Sequence, residues 1–189
     1  MGVILAINGS SRKDGNTACM LQTVLDVCAS AGHKTEMYQA GGRAVRGCTA
    51  CGGCGKHLGR CAIDDWVNEL YPKMLEADVL LLGSPTYFAD LTPETKAVID
   101  RTGYVSRRDG IRFSRKIGAA VSAVRRTGSI HTLDSINHFF LINDMIVPGS
   151  NYWNMSLSRN IGDYQNDEES VKTMKRLGEN IVWLLENLK

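Results

Sequence analysis

No apolar run in the sequence approaches the roughly 20 residues needed to cross a bilayer, so no segment is expected to span a membrane. Charge of one sign is missing too. The chain carries 22 Lys and Arg against 20 Asp and Glu, scattered rather than striped, which excludes the basic footprint of a nucleic-acid binder. Histidine is scarce: His33, His57, His131 and His138 fall into no triad and no metal-ligand spacing. No acid/base pair or nucleophile stands out, which points away from hydrolytic chemistry and toward chemistry carried by a bound group. The opening residues, Met1 to Asn8, have no basic region or cleavage site, and a cytoplasmic location is the expectation. No repeat, low-complexity tract or long linker interrupts residues 1–189, which are expected to form one domain.

What is present is an alternation of strand and helix signals. Val3 to Ile7 is a short apolar run entering Asn8-Gly9-Ser10, a buried strand meeting a loop. Asn16 is placed to cap a helix to about Ala31, with Ala18, Leu21, Leu25 and Cys28 at helical spacing. A second strand is expected over Lys34 to Tyr38. Asp64-Asp65 then opens a helix through Val67, Leu70, Met74 and Ala77, and Asp78 to Gly83 reads as a fully buried third strand. Thr92-Pro93-Glu94 combines a capping hydroxyl, proline at the first helical position and an acid in the first turn. A strand over Ile117 to Val124, a helix from Gly128 to about Leu141, and a fifth strand over Met145 to Pro148 follow. The apolar stripe Val171, Met174, Leu177, Ile181, Leu184 and Leu188 closes the chain as a terminal helix. Five such alternations imply an α/β doubly wound parallel sheet, whose ligands bind beyond the carboxyl ends of its strands.

The loops at those ends are informative. Asn8 to Thr17 offers the hydroxyls of Ser10, Ser11 and Thr17, the amide of Asn16, the cation of Arg12 and the free N–H groups of a helix start, all suited to an anion. It is not a P-loop, because Gly9 and Gly15 stand one residue too far apart and Asn16 occupies the lysine position. A hydroxyl-rich cradle suits a single terminal phosphate such as that of FMN; a polar capped loop is the alternative. After the third strand, Pro85, Thr86, Tyr87 and Phe88 are placed to lie along a planar ring, or else to pack beneath the next helix. After the fourth, Ala123 leads into Arg125, Arg126, Thr127 and Gly128, where a guanidinium would stabilise a reduced flavin or form a solvated charge pair. Asn151-Tyr152-Trp153, expected after the fifth strand, completes a pocket wall or forms a subunit contact. The charged stretch Arg107-Arg108 to Arg115 reads mainly as solvated.

Cysteine is concentrated in one place. Cys48, Cys51, Cys54 and Cys61 form a C-x2-C-x2-C-x6-C run within residues 47–62, and in a reducing compartment such a run points to metal or redox chemistry. Gly52, Gly53, Gly55 and Gly59 make the segment flexible enough to wrap a cluster and equally able to stay disordered. An iron–sulfur cluster, free thiols, and zinc or a disulfide all stay open on spacing alone, since the bacterial ferredoxin run has three residues, not six, before its last cysteine. Cys19 and Cys28 fall on the first helix and are expected to be packing residues.

Gly9 to Thr17, Cys48 to Asp65, and Gly83 to Leu91 with Lys96 to Arg101, taken in order, resemble the NADPH-dependent FMN reductase and iron–sulfur flavoprotein branch of the flavodoxin-like superfamily. The resemblance implies the sheet order 2-1-3-4-5. It implies non-covalent FMN, with Ser10, Ser11, Arg12, Asn16 and Thr17 around the phosphate and Pro85, Thr86, Tyr87 and Phe88 against the isoalloxazine. Ala123, Arg125, Arg126, Thr127 and Gly128 would meet the ring from the far side. It further implies a [4Fe–4S] cluster on Cys48, Cys51, Cys54 and Cys61, and a homodimer or homotetramer. The expected activity is electron transfer between NAD(P)H or a reduced carrier and a quinone, free flavin or cluster. Two alternatives accompany it: a ferredoxin-linked electron-transfer protein with little NAD(P)H turnover, and a zinc or thiol sensing module.

Overall fold

The computed structural model describes residues 1–188. Five strands, β1 (Val3–Asn8), β2 (Lys34–Gln39), β3 (Val79–Pro85), β4 (Ile117–Val124) and β5 (Met155–Leu157), pair in parallel in the order β2-β1-β3-β4-β5. The order reverses between β1 and β3, the switch point at which such sheets open a crevice. Helices α1 (Asn16–Ser30) and α5 (Glu168–Asn187) cover one face of the sheet. Helices α2 (Val67–Glu76), α3 (Pro93–Arg108) and α4 (Ser129–Ile142) cover the other. Alternate residues of one strand therefore feed two cores. Leu80 and Leu82 pack against the α2–α4 layer with Tyr71, Val98 and Phe139, while Val79 and Leu81 pack against the α1/α5 layer with Leu21, Val24 and Leu177. This two-sided burial is why β3 and β4 read as unbroken apolar runs while β2, at the edge, does not.

The expected helix start at Thr92-Pro93 is present: Thr92 is the N-cap of α3, and its side chain accepts a hydrogen bond from the Thr95 N–H. Two expectations are corrected. The segment 145–148 makes one isolated bridge, Ile146 to Ile117, and then leaves the sheet. Pro148 has no N–H to continue a ladder, so the chain loops out and the fifth strand forms instead at Met155–Leu157, beside Ser122–Val124. Consequently Asn151, Tyr152 and Trp153 precede β5 rather than follow it. Asn16 is the first residue of α1, not its cap; Gly15 is the N-cap and no side chain caps the helix. No helix among the described residues is long and apolar enough to cross a membrane.

Candidate functional site

The loops after β1, β3 and β4 leave the same end of the sheet and are tied to one another. The Gly9 N–H donates to the Gly83 carbonyl at 2.8 Å, and the Thr92 hydroxyl donates to the Gly9 carbonyl at 2.9 Å. Gln39 braces the first loop from the neighbouring strand: its Nε2 donates to the carbonyls of Ser10 (2.7 Å) and Gly41 (2.8 Å), and its Oε1 accepts from Asn8 Nδ2. The turn itself is closed locally, by the Ser10 N–H on Asn8 Oδ1 and the Arg12 N–H on Ser10 Oγ. Ser10 and Thr17 are buried, whereas Ser11 and Arg12 are exposed. With no capping side chain, the first N–H groups of α1 face this loop, a favourable place for an anion. The buried Asn16 side chain turns instead to the loop after β5. Its Nδ2 donates to the Asn160 carbonyl at 2.7 Å, and its Oδ1 accepts from the N–H groups of Gly162 and Tyr164.

Beyond β3 the chain makes a two-residue turn. Tyr87 and Asp90 exchange both backbone hydrogen bonds, and the central residues Phe88 and Ala89 have φ of 49° and 63°. Left-handed backbone at two successive non-glycine residues is costly and is kept where the surroundings demand it. The aromatics do not pack beneath α3: Phe88 is fully exposed and Tyr87 half exposed. Thr86 points inward, its hydroxyl within 3.0 Å of both Ser122 Oγ and Thr132 Oγ1, and its N–H donates to the Ala123 carbonyl. Ala123 is buried in β4, while Arg125, Arg126 and Thr127 are exposed. Gly128 is the uncapped N-cap of α4 at φ +94°, and a Cβ there would lie 2.9 Å from Ala89 Cα. The third and fourth loops therefore meet directly, and the exposed aromatic turn borders the guanidinium-bearing loop.

The cysteines lie elsewhere. Cys48, Cys51, Cys54 and Cys61 line one small cavity of about 90 Å³, closed by Arg101 and Tyr104 of α3. Two of the four sulfurs receive hydrogen bonds. The Ala50 N–H reaches Cys48 Sγ at 3.4 Å, and Arg101 Nε donates to Cys61 Sγ at 3.3 Å. At Cys51 the Gly53 N–H and then the Thr49 hydroxyl hold the thiol below the usual cysteine range. Donors aimed at sulfur favour thiolates, the form that binds metal. Among the described residues no three of His, Cys, Asp and Glu surround one metal-ion position. Cys28 is fully buried and burial pushes its thiol up to about 11; Cys19 is partly buried and likewise raised.

Arg101 is the residue that sequence reasoning missed as part of a site. It is 1% exposed and forms a bidentate pair with Asp65, Nη1 to Oδ2 at 2.6 Å and Nη2 to Oδ1 at 2.8 Å. Burial works against Asp65 ionising, but the guanidinium and the Val67 N–H outweigh it and hold the carboxyl below its usual range. A signal was available: Arg101 interrupts the stripe Ala97, Val98, Thr102 and Val105, and a cation on a buried helical face needs a partner. Gln39 left no comparable signal.

The fold, with its loop-lined crevice, is flavodoxin-like. Residues 3–159 match the family model described as NADPH-dependent FMN reductase, and the chain belongs to that family of flavin oxidoreductases. An iron–sulfur flavoprotein of Methanocaldococcus jannaschii is 34% identical over 193 residues, covering 98% of each chain. One from Methanosarcina thermophila is 32% identical over 179 residues, covering 90% of this chain and 92% of its own. Among solved structures, a flavone reductase superposes with a TM-score of 0.75 at 18% identity, covering 98% of this chain and 64% of that one. The flavoenzyme NAD(P)H:(acceptor) oxidoreductase of Paracoccus denitrificans superposes at 0.69 and 15% identity, covering 98% of both chains. At these identities the two structures support the fold.

Proposed function

We propose that this chain is an FMN-dependent oxidoreductase that moves electrons between NAD(P)H or a reduced carrier and an acceptor, with a [4Fe–4S] cluster as a second redox centre. The observation that carries the reading is the meeting of the loops after β1, β3 and β4 at the switch point: an uncapped helix start on one side, an exposed aromatic turn on the other. Ser10, Ser11, Arg12 and Thr17, with the first N–H groups of α1, would hold the FMN phosphate. Asn16 contributes by fixing the 160–164 loop beside them. Pro85, Tyr87 and Phe88 would lie against the isoalloxazine, and Thr86 and Ala123 hold that turn to β4. Arg125, Arg126, Thr127 and Gly128 close the far side and bring positive charge to it. Bound FMN supplies two-electron and one-electron chemistry in one site; the protein orients it and sets the charge around it.

Cys48, Cys51, Cys54 and Cys61 would hold the cluster. A cubane cluster gives each thiolate its own iron, which suits four cysteines lining one space. Cys48 and Cys51 are exposed, which favours one variant of the reading, electron exchange with a ferredoxin-like protein partner. Assembly as a homodimer or homotetramer is part of the proposal.

The test is a visible spectrum of protein purified without oxygen, with flavin, iron and acid-labile sulfide measured on the same sample and NAD(P)H oxidation assayed in parallel. Flavin bands with broad visible absorbance and about four irons per chain are expected. Flavin alone after attempted cluster reconstitution would reduce the protein to a simple FMN reductase. Both centres with negligible NAD(P)H oxidation would make it an electron carrier. A colourless protein would overturn the proposal.

A further inference from the structure

A guanidinium has five N–H donors in a fixed planar fork. In Arg101 they go to five acceptors, all in or beside the cysteine segment. Nη1 donates to Asp65 Oδ2 at 2.6 Å and to the Arg46 carbonyl at 3.2 Å; Nη2 donates to Asp65 Oδ1 at 2.8 Å and to the Ile63 carbonyl at 2.9 Å; Nε donates to Cys61 Sγ at 3.3 Å. Arg46 stands before the first cysteine, and Ile63 and Asp65 stand after the last. One side chain from α3 therefore joins both ends of the loop and touches one of its four sulfurs. Around Cys48 to Cys54 the backbone has few other ties: apart from the short 3-10 turn Gly53–Gly55, its carbonyls and N–H groups make few hydrogen bonds.

We infer that Arg101 is the positioning residue of the cysteine site, a clamp that closes the loop from α3 before any metal is bound and singles out Cys61 among the four ligands. Its metal arm rests on the cluster reading above; the closure of the loop does not. The contacts use the planar fork of the guanidinium as well as its charge. A leucine at this position would satisfy the core of α3, but it would leave the Arg46 carbonyl without its donor, the Ile63 carbonyl with the Asn68 amide alone and the Asp65 carboxylate with the Val67 N–H alone. Lysine would keep the charge and lose the fork. Hydrogen bonds to ligating sulfur raise the reduction potential of an iron–sulfur centre, so the Nε–Sγ contact also gives Arg101 a share in setting the potential.

The experiment compares wild-type protein with Arg101→Lys and Arg101→Met, checking retained fold by FMN content. Lys56 and Arg60 are exposed tryptic sites inside the loop. Opening the clamp should speed trypsin cleavage there in metal-free protein by roughly tenfold, the effect of a 1.4 kcal/mol change in an opening equilibrium. In reconstituted protein both variants should hold several-fold less iron, and any cluster formed in Arg101→Met should have a lower midpoint potential than wild type. Iron content, potential and cleavage rate all equal to wild type would overturn the inference. If wild-type protein takes up no iron, the cluster reading fails and cleavage alone decides: faster in the variants supports the clamp, unchanged overturns it. If Arg101→Met retains no FMN, Arg101→Lys decides by the same three readings.

Discussion

The loop after β1, proposed to hold a phosphate, and the cysteine loop are both polar and contain glycine, yet they are held differently. The loop after β1 is closed within its own turn by Asn8, Ser10 and Arg12, and is braced by Gln39, Gly83 and Thr92 of the elements pressed beside it. The cysteine loop is closed from across the molecule, by a guanidinium on α3 whose partners lie between 36 and 55 residues away in sequence. A loop closed by its own backbone keeps its shape whatever it binds. A loop whose two ends meet on one remote side chain loosens when that side chain changes, even with Asn68 still holding the Cys61 end, so the two loops should fail independently.

Gly41 offers the severest way to probe this difference. A Cβ there would lie 2.2 Å from the Ser10 carbonyl carbon and 2.3 Å from its oxygen, backbone atoms that have no rotamer to escape into. Gly41→Ala should cost about 3 kcal/mol through forced separation of β2 from the phosphate loop. A fall in Tm of about 10 °C is expected at this chain length, with weaker FMN binding. Calorimetry with flavin titration checks both. A variant as stable as wild type would mean that the two loops separate freely.

Asn16, at the end of the same loop, has its side-chain partners at Asn160, Gly162 and Tyr164, the most remote in sequence. Asn16→Ala leaves the N–H groups of Gly162 and Tyr164 without their acceptor, a cost of about 2 kcal/mol. The comparison predicts that this loss is global, because α1 and the 160–164 segment both pack into the α1/α5 core, where Tyr164 is buried. Denaturant unfolding followed by flavin titration separates the roles. Lower stability with FMN affinity reduced in proportion is expected; lost affinity at unchanged stability would instead make Asn16 a direct phosphate ligand.

The same contrast explains what could be read in advance. Strands β1, β3 and β4 and the capped start of α3 announce themselves by apolar runs and by Thr92-Pro93, signals contained in a few adjacent residues. The polar loop after β1 is legible as a loop for the same reason, and its phosphate role is part of the proposal. The fifth strand was misplaced because Met145 to Pro148 has the composition of a strand, while pairing depends on whether the chain can continue beyond Pro148, and Met155–Leu157 is too short to signal itself. The cysteines were legible as a motif. Their surroundings were not, because Arg101 is brought to Cys61 by the tertiary fold, and sequence alone does not say which buried charge meets which loop.

The mildest test uses Gly52, on the cysteine loop, as the counterpart of Gly41. Gly52 has φ +70° and precedes the turn that carries Cys54, but a Cβ there would meet nothing within 4 Å. Gly52→Ala therefore adds no clash and pays only the left-handed penalty, about 1 kcal/mol. That penalty falls on a loop that opens without the core, so Tm should stay within about 1 °C of wild type, while iron occupancy falls and tryptic cleavage at Lys56 and Arg60 rises modestly. FMN content should not change. Were Tm to drop as far as it does in Gly41→Ala, the cysteine loop would belong to the same cooperative unit as the sheet, and the independence of the two sites would be lost.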